Sequence, residues 1–164
     1  MRLGILSDTH GKFDITVRAV AQLQAAGAEH LVHCGDVGNI RVLEALCVLP
    51  AAFVFGNNDW EHDEYRRAAD LLEIRCLAQY GELLLAGKRI AVTHGDDDAL
   101  LRRLTKPGNS IDYLLTGHTH RRHDQNTAGP RWINPGALFR APIKTVAILD
   151  LVSDELSYLE VSEV

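Results

Sequence analysis

The sequence predicts a mixed α/β fold in which two packed β-sheets carry helices on their outer faces. Through the first half, short apolar runs alternate with segments of helical spacing, β-α-β-α-β-α, which implies parallel strands joined by right-handed crossovers. Through the second half β-rich runs dominate, so strands parallel at the start give way to antiparallel ones at the end. A third observation concerns position. Ser7-Asp8-Thr9-His10, Gly35-Asp36, Gly56-Asn57-Asn58-Asp59, Thr93-His94-Gly95 and Gly117-His118-Thr119-His120 each directly follow an apolar run. Each therefore falls on a loop at a strand's carboxyl end, the edge of an open α/β sheet where sites assemble.

The elements follow in order. Leu3–Leu6 is short and apolar and reads as a buried strand. From Asp14 to Ala26, Ile15, Ala19, Val20 and Leu23 recur near helical spacing, and Gly27 is a stop signal. Leu31–Cys34 is a second strand, and Val42 to Leu49 a second helix closed by Pro50. Ala52–Phe55 is a third strand, followed by a helix over Glu64–Leu72. Glu82–Ala86 and Arg89–Thr93 form a hairpin turning at Gly87-Lys88, and a helix over Asp98–Leu104 leads to the strand Tyr113–Thr116. Arg131–Asn134, Thr145–Leu151 and Leu156–Val161 are the last strands. No repeat, linker or low-complexity stretch interrupts the 164 residues, so a single domain over 1–164 is expected.

An apolar fraction of 46% and a charged fraction of 24% are ordinary for a soluble domain. The net charge of −5 argues against broad nucleic-acid or anionic-membrane binding, which needs a basic face. It does not argue against a phosphate substrate, because two divalent cations would add about four positive charges locally. No run approaches the roughly 20 apolar residues of a membrane span. Leu3–Leu6 is too short for a signal-peptide core, so a cytoplasmic protein is expected. Cys34, Cys47 and Cys76 contain no C-x-x-C pair and read as small buried thiols, with Cys34 near Asp36.

Seven nitrogen and oxygen donors, none of them cysteine, then share one edge: Asp8, His10, Asp36, Asn57, His94, His118 and His120. Such a set suits two divalent metals, and a pair about 3.5–4 Å apart is a standard device for phosphoryl-ester hydrolysis. If extended, Asp8 and His10 point the same way and can grip one ion, and His118 and His120 repeat the spacing. Gly35 lets its loop turn tightly at Asp36, whose two oxygens can bridge. Imidazole, carboxylate and amide suit Mn, Fe, Zn, Ni or Co better than a calcium site. Asp-x-His alone is a weak signal, and Gly-Asp or Gly-Asn alone is usually a turn. All five clusters in order are not explained that way. His30, His33, His62 and His123 read as surface or satisfied histidines, although His62 and Trp60 are near enough to the Asn57 loop to line a pocket. Asp96-Asp97-Asp98 reads as a helix N-terminal turn, and Arg121-Arg122 as a solvated pair.

The ordered motifs Asp-x-His, Gly-Asp, Gly-Asn, His-Gly and Gly-His-x-His resemble the calcineurin-like metallophosphoesterases. The compact length and Asn134-Pro135-Gly136-Ala137 resemble its small YfcE-like phosphodiesterase group. The resemblance covers about Arg2 to Arg140 and implies a four-layer α-β-β-α sandwich of the metallo-dependent phosphatase type. It implies one metal on Asp8, His10, Asp36 and His120, and another on Asp36, Asn57, His94 and His118, with Asp36 bridging. The implied reaction is in-line attack by a metal-bridging hydroxide on a small phosphodiester, with Mn preferred and Fe, Zn, Ni, Co or Mg as alternatives. Two departures stand out. Asn39 replaces the last carboxylate of Gly-Asp-x-x-Asp, and Asn58 replaces the phosphate-contacting histidine that the family uses to protonate the leaving group. Asn58 can still contact phosphate as a donor. Open alternatives are a phosphomonoesterase for nucleotides or phosphoproteins, and a non-catalytic scaffold like the retromer subunit of this fold; a homo-oligomer also stays open.

Overall fold

Alternation of side chains along each strand builds the architecture of the computed structural model, which describes residues 1–126 and 128–162. In β1 (Arg2–Leu6), Leu3 and Ile5 point to one core while Leu6 points to another. In β10 (Thr145–Asp150), Ala147 and Leu149 share the first core, and Val146 and Ile148 the second. Period-two alternation with both faces buried is what a sheet covered on two sides requires.

The first sheet runs β11 (Leu156–Glu160), β10, β1, β2 (His30–His33), β3 (Ala51–Phe53) and β4 (Arg75–Cys76). β1 to β4 are parallel, whereas β10 and β11 are antiparallel. The second sheet runs β5 (Tyr80–Leu85), β6 (Lys88–Thr93), β7 (Tyr113–Leu115), β9 (Arg131–Pro135) and β8 (Arg122–Asn126), with β6, β7 and β9 parallel. Both sheets are thus mixed. The inner faces meet in one core, with Ile5, Val32 and Ala52 against Ile90, Val92 and Leu115. Helices α1 (Phe13–Ala25), α2 (Ile40–Leu46) and α3 (His62–Leu71) cover the first sheet, and α4 (Asp98–Leu104) covers the second through Leu104, Ala91 and Leu114. This is the four-layer α-β-β-α sandwich.

Several expectations shift. β3 stops at Phe53, because Val54 and Phe55 already belong to the loop that carries Asn57. α3 starts at His62, two residues earlier than its apolar spacing indicates. The hairpin turns at Ala86-Gly87, both at positive φ (49° and 76°), with Leu85 paired to Lys88. That is the backbone handedness a two-residue hairpin loop needs. β4 and β8 were not expected at all: one is two residues long and the other polar and largely exposed. Among the thiols only Cys34 is fully buried; Cys47 is exposed and Cys76 half-buried. Among the described residues no helix is long and apolar enough to cross a membrane.

Candidate metal centre

Parallel strands from both sheets end at one edge, and their loops are laced together there. Asp8 N–H donates to Gly35 O (3.0 Å), His10 N–H to Asp36 O (2.9 Å) and Gly117 N–H to His94 O (2.8 Å). His118 N–H donates to Asp8 Oδ2 (3.2 Å), joining the two sheets' loops. The packing is close enough that a Cβ on Gly35 would lie 2.7 Å from His94 Nδ1, so glycine at φ +92° is the residue this crossing accepts.

Two groups of side chains converge. Asp8, His10 and His120 form one, and Asp8, Asp36 and His94 the other. His120 Nε2 lies 3.1 Å from Asp8 Oδ1. Asp36 Oδ2 lies 3.4 Å from both His10 Nε2 and His94 Nε2, so a single oxygen faces an imidazole from each group. His118 packs edge-on against His94, ring centroids 5.1 Å apart, and its Nδ1 lies 3.1 Å from Asn57 Oδ1. Asn57 and His118 are exposed at the rim, while Asp8, Asp36 and His94 are buried at its floor.

The residues fit divalent metal ions on three counts. Asp8 Oδ1, His10 Nε2 and His94 Nε2 are buried without a hydrogen-bond partner, and orphaned buried polar atoms are costly unless something else satisfies them. His94 Nδ1 donates to the Cys34 carbonyl at 2.8 Å, so Nε2 is the nitrogen turned into the site, as metal-ligating histidines are held. The donors are nitrogen and oxygen. Burial pushes the Cys34 thiol well up, helped by the Asp8 charge, so it stays protonated beside them.

The electrostatics are those of charge gathered for a cation. Burial raises the Asp8 carboxyl. Burial alone would raise Asp36 too, but the His94 imidazole 3.4 Å away, with two donors from Asn58, holds it well below the usual carboxylate range. Burial alone would lower His94, yet Asp36 and Asp8 lift it to about 9. Burial lowers His10 despite the same carboxylates.

The i, i+2 pairs Asp8/His10 and His118/His120 are not extended, contrary to the expectation from their spacing. Asp8, His10, Asp36, His118 and His120 have φ of 54°, 45°, 55°, 66° and 56°, not extended values. Left-handed backbone in non-glycine residues is costly and gathers at functional sites. The loop after β1 curls back to bring Asp8 and His10 into one group, whereas the loop after β7 sends His120 to Asp8 and His118 to Asn57 and His94.

Asn58 is placed differently from a free phosphate donor. Its N–H donates to Asp36 Oδ1 (2.9 Å) and its amide Nδ2 to Oδ2 (2.8 Å). Asn39 caps α2, accepting from Arg41 N–H (2.9 Å). The acid that orders the Asp36 loop is Asp59, only 3% exposed, which accepts from Val37, Gly38 and Gly56 N–H at 3.1, 2.8 and 2.8 Å. Sequence reading missed this role, although Asp59 closes the Gly56–Asp59 cluster. His33 is satisfied: its Nδ1 accepts from Gly35 N–H (3.2 Å) and its Nε2 donates to Thr9 Oγ1 (2.9 Å). His62 stacks on Phe55 at 4.0 Å, while Trp60 is exposed. Asp97 caps α4 through Ala99 and Leu100 N–H.

The chain is similar to known proteins in both sequence and fold. Residues 1–154 match the family model of the calcineurin-like phosphoesterase superfamily domain. Phosphodiesterase MJ0936 of Methanocaldococcus jannaschii is 28% identical over 94% of this chain and 96% of its own length. Phosphodiesterase YfcE of Escherichia coli is 30% identical over 84% of this chain and 79% of its own. The solved structure of an archaeal phosphodiesterase superposes with a TM-score of 0.89 at 26% identity, over 98% of this chain and all of that one.

Proposed function

The chain belongs to the calcineurin-like phosphoesterase superfamily, and from that membership we propose that it hydrolyses small phosphodiesters with two divalent metal ions, manganese preferred. Asp8, His10, Asp36 and His120 would hold one ion, and Asp36, Asn57, His94 and His118 the other. The observation that carries this reading is the convergence of bare buried donors, Asp8 Oδ1, His10 Nε2 and His94 Nε2, around a carboxylate that faces both groups. Bound ions would supply an acidified water as nucleophile and charge neutralisation at the phosphoryl oxygens. The chain's own residues do the rest. His118 and Asn57 at the exposed rim stand where substrate enters, and Asn58 orients Asp36 through both of its oxygens.

The phosphodiester preference draws on the relatives named phosphodiesterases and on position 58. Asparagine carries no proton to give at neutral pH, so esters that need a general acid are disfavoured. A complete donor set also favours an enzyme over a scaffold, whose site is free to erode. The test compares bis(p-nitrophenyl) phosphate with p-nitrophenyl phosphate, with Mn²⁺ and after chelation. Diester turnover that needs Mn²⁺ is expected; faster monoester turnover would replace the reading by a phosphomonoesterase, and turnover surviving chelation would remove the metal.

A further inference from the structure

Beside the metal centre lies a groove of about 580 Å³ whose wall is cationic: Lys12, Arg18, Arg41, Arg140 and Lys144 face it with one acid, Asp14. The chain as a whole carries a net charge of −5, so five cations against one acid is a local reversal. Arg2, Arg66, Lys88, Arg89 and Arg131 are neutralised by carboxylates. Among the described residues Lys12, Arg18, Arg41 and Arg140 make no ion pair, and three of them lie over aromatic rings instead. Arg41 sits 4.4 Å from the Phe13 ring centroid, and Lys12 and Arg140 lie 5.3 and 5.1 Å from that of Phe139. A guanidinium held by a ring rather than by a carboxylate leaves N–H groups available to grip phosphate oxygens bidentately.

The groove adjoins the chemistry. Phe139 forms part of its wall and packs on the His10 ring, centroids 5.0 Å apart. Arg140 also lines a neighbouring groove that contains His118 and His120. A substrate whose scissile phosphorus sits at the metal centre therefore extends past Phe139 into a basic, aromatic-floored channel. An uncharged extension would gain little from that wall; a second phosphate would gain charge-assisted hydrogen bonds.

Resting on the phosphodiesterase reading, we infer that the groove binds a second phosphoryl group of the substrate, so that the preferred substrates are phosphodiesters carrying a further phosphate rather than simple diesters.

The test uses the p-nitrophenyl ester of thymidine 5′-phosphate with and without a 3′-phosphate. The 3′-phosphorylated ester should show a kcat/KM on the order of tenfold higher, expressed in KM and eroded by added salt. Arg18→Ala/Arg41→Ala should abolish that advantage and leave the unphosphorylated ester unchanged; Arg41→Glu alone should do the same. Equal kcat/KM for the two esters in the unsubstituted protein overturns the inference. A binding arm separates it from the catalytic reading. After chelation, inorganic tripolyphosphate should bind the full chain by calorimetry and fail to bind the double variant. If neither ester is hydrolysed but this binding difference holds, the groove stands and the phosphodiesterase reading falls. Equal binding to both proteins overturns the groove.

Discussion

Asp36 Oδ2 faces imidazole nitrogens of two loops at 3.4 Å, and Asn58 holds both carboxylate oxygens from the other side. Asp36→Asn removes one charge between the two donor groups while keeping shape and one acceptor. Turnover should fall by about 10³-fold or more, roughly 4 kcal/mol of barrier, with bound metal by elemental analysis falling alongside and the circular-dichroism spectrum kept. Wild-type activity in metal-limited buffer would refute the bridging role. Asn58 is a subtler case, because its substitution has two effects of opposite sign. Asn58→His offers an acid to a poor leaving group but removes the amide bond to Oδ2. Alkyl-type esters should therefore speed up relative to nitrophenyl esters by about tenfold or more, the low end of general acid catalysis, while the nitrophenyl rate itself falls. An equal change in both would mean position 58 only positions Asp36 or phosphate. At this scale the residue types were legible and the backbone was not. Nothing in Asp8-Thr9-His10 announces left-handed φ at two non-glycine positions, since that strain is imposed by neighbouring loops. Asp59 was equally hidden, because its value lies in three amide donors contributed by two loops.

The loops after β2 and β3 behave as one unit because Asp59 receives Val37, Gly38 and Gly56 N–H. Asp59→Ala leaves three backbone donors without their acceptor in a largely buried setting. A cost of about 3 kcal/mol is expected, lowering Tm by roughly 6–12 °C in a domain of this size, with Asp59→Asn intermediate. Thermal unfolding after chelation reads it without metal stabilisation, and a shift below about 1 °C would mean that other contacts hold the loops. Legibility also varied between elements. α1 was readable because Ile15, Ala19, Val20 and Leu23 form one buried stripe. β8 was not, because its residues are almost all exposed; it is a strand through antiparallel pairing with the adjacent β9 and the Arg131–Asp124 ion pair at 2.8 Å, neither of which leaves an apolar alternation to read.

Across the whole molecule, the order of strands along the chain did not map onto sheets. β10 returns to pair antiparallel with β1 from more than a hundred residues away, and β6, β7 and β9 remain parallel in the second sheet. Periodicity reveals which face of a strand is buried, but such long-range pairing is chosen by packing the two layers together. That packing has a consequence for acid stability. His33 is fully buried beneath the loops, and its Nδ1 must be unprotonated to accept Gly35 N–H. Burial, followed by the facing His94, pushes its pKa from 6.5 down to about 3. The unfolded chain therefore takes up a proton below pH 6.5 that the folded chain refuses, so stability present above pH 6.5 is lost as pH falls. From this one group a loss of about 2 kcal/mol is expected by pH 5 and about 4 kcal/mol by pH 3. His94, lifted to about 9, acts with the opposite sign and in a different window: its stabilisation disappears as pH rises from 6.5 through 9. His10 and His30 are lowered like His33, so the wild-type slope alone cannot assign the effect. His33→Gln can. Urea unfolding after chelation, at pH 7 and pH 5, should show the variant losing about 2 kcal/mol less than wild type between the two. Parallel losses in both proteins would mean that His33 is protonated in the fold, against the hydrogen bond its Nδ1 accepts.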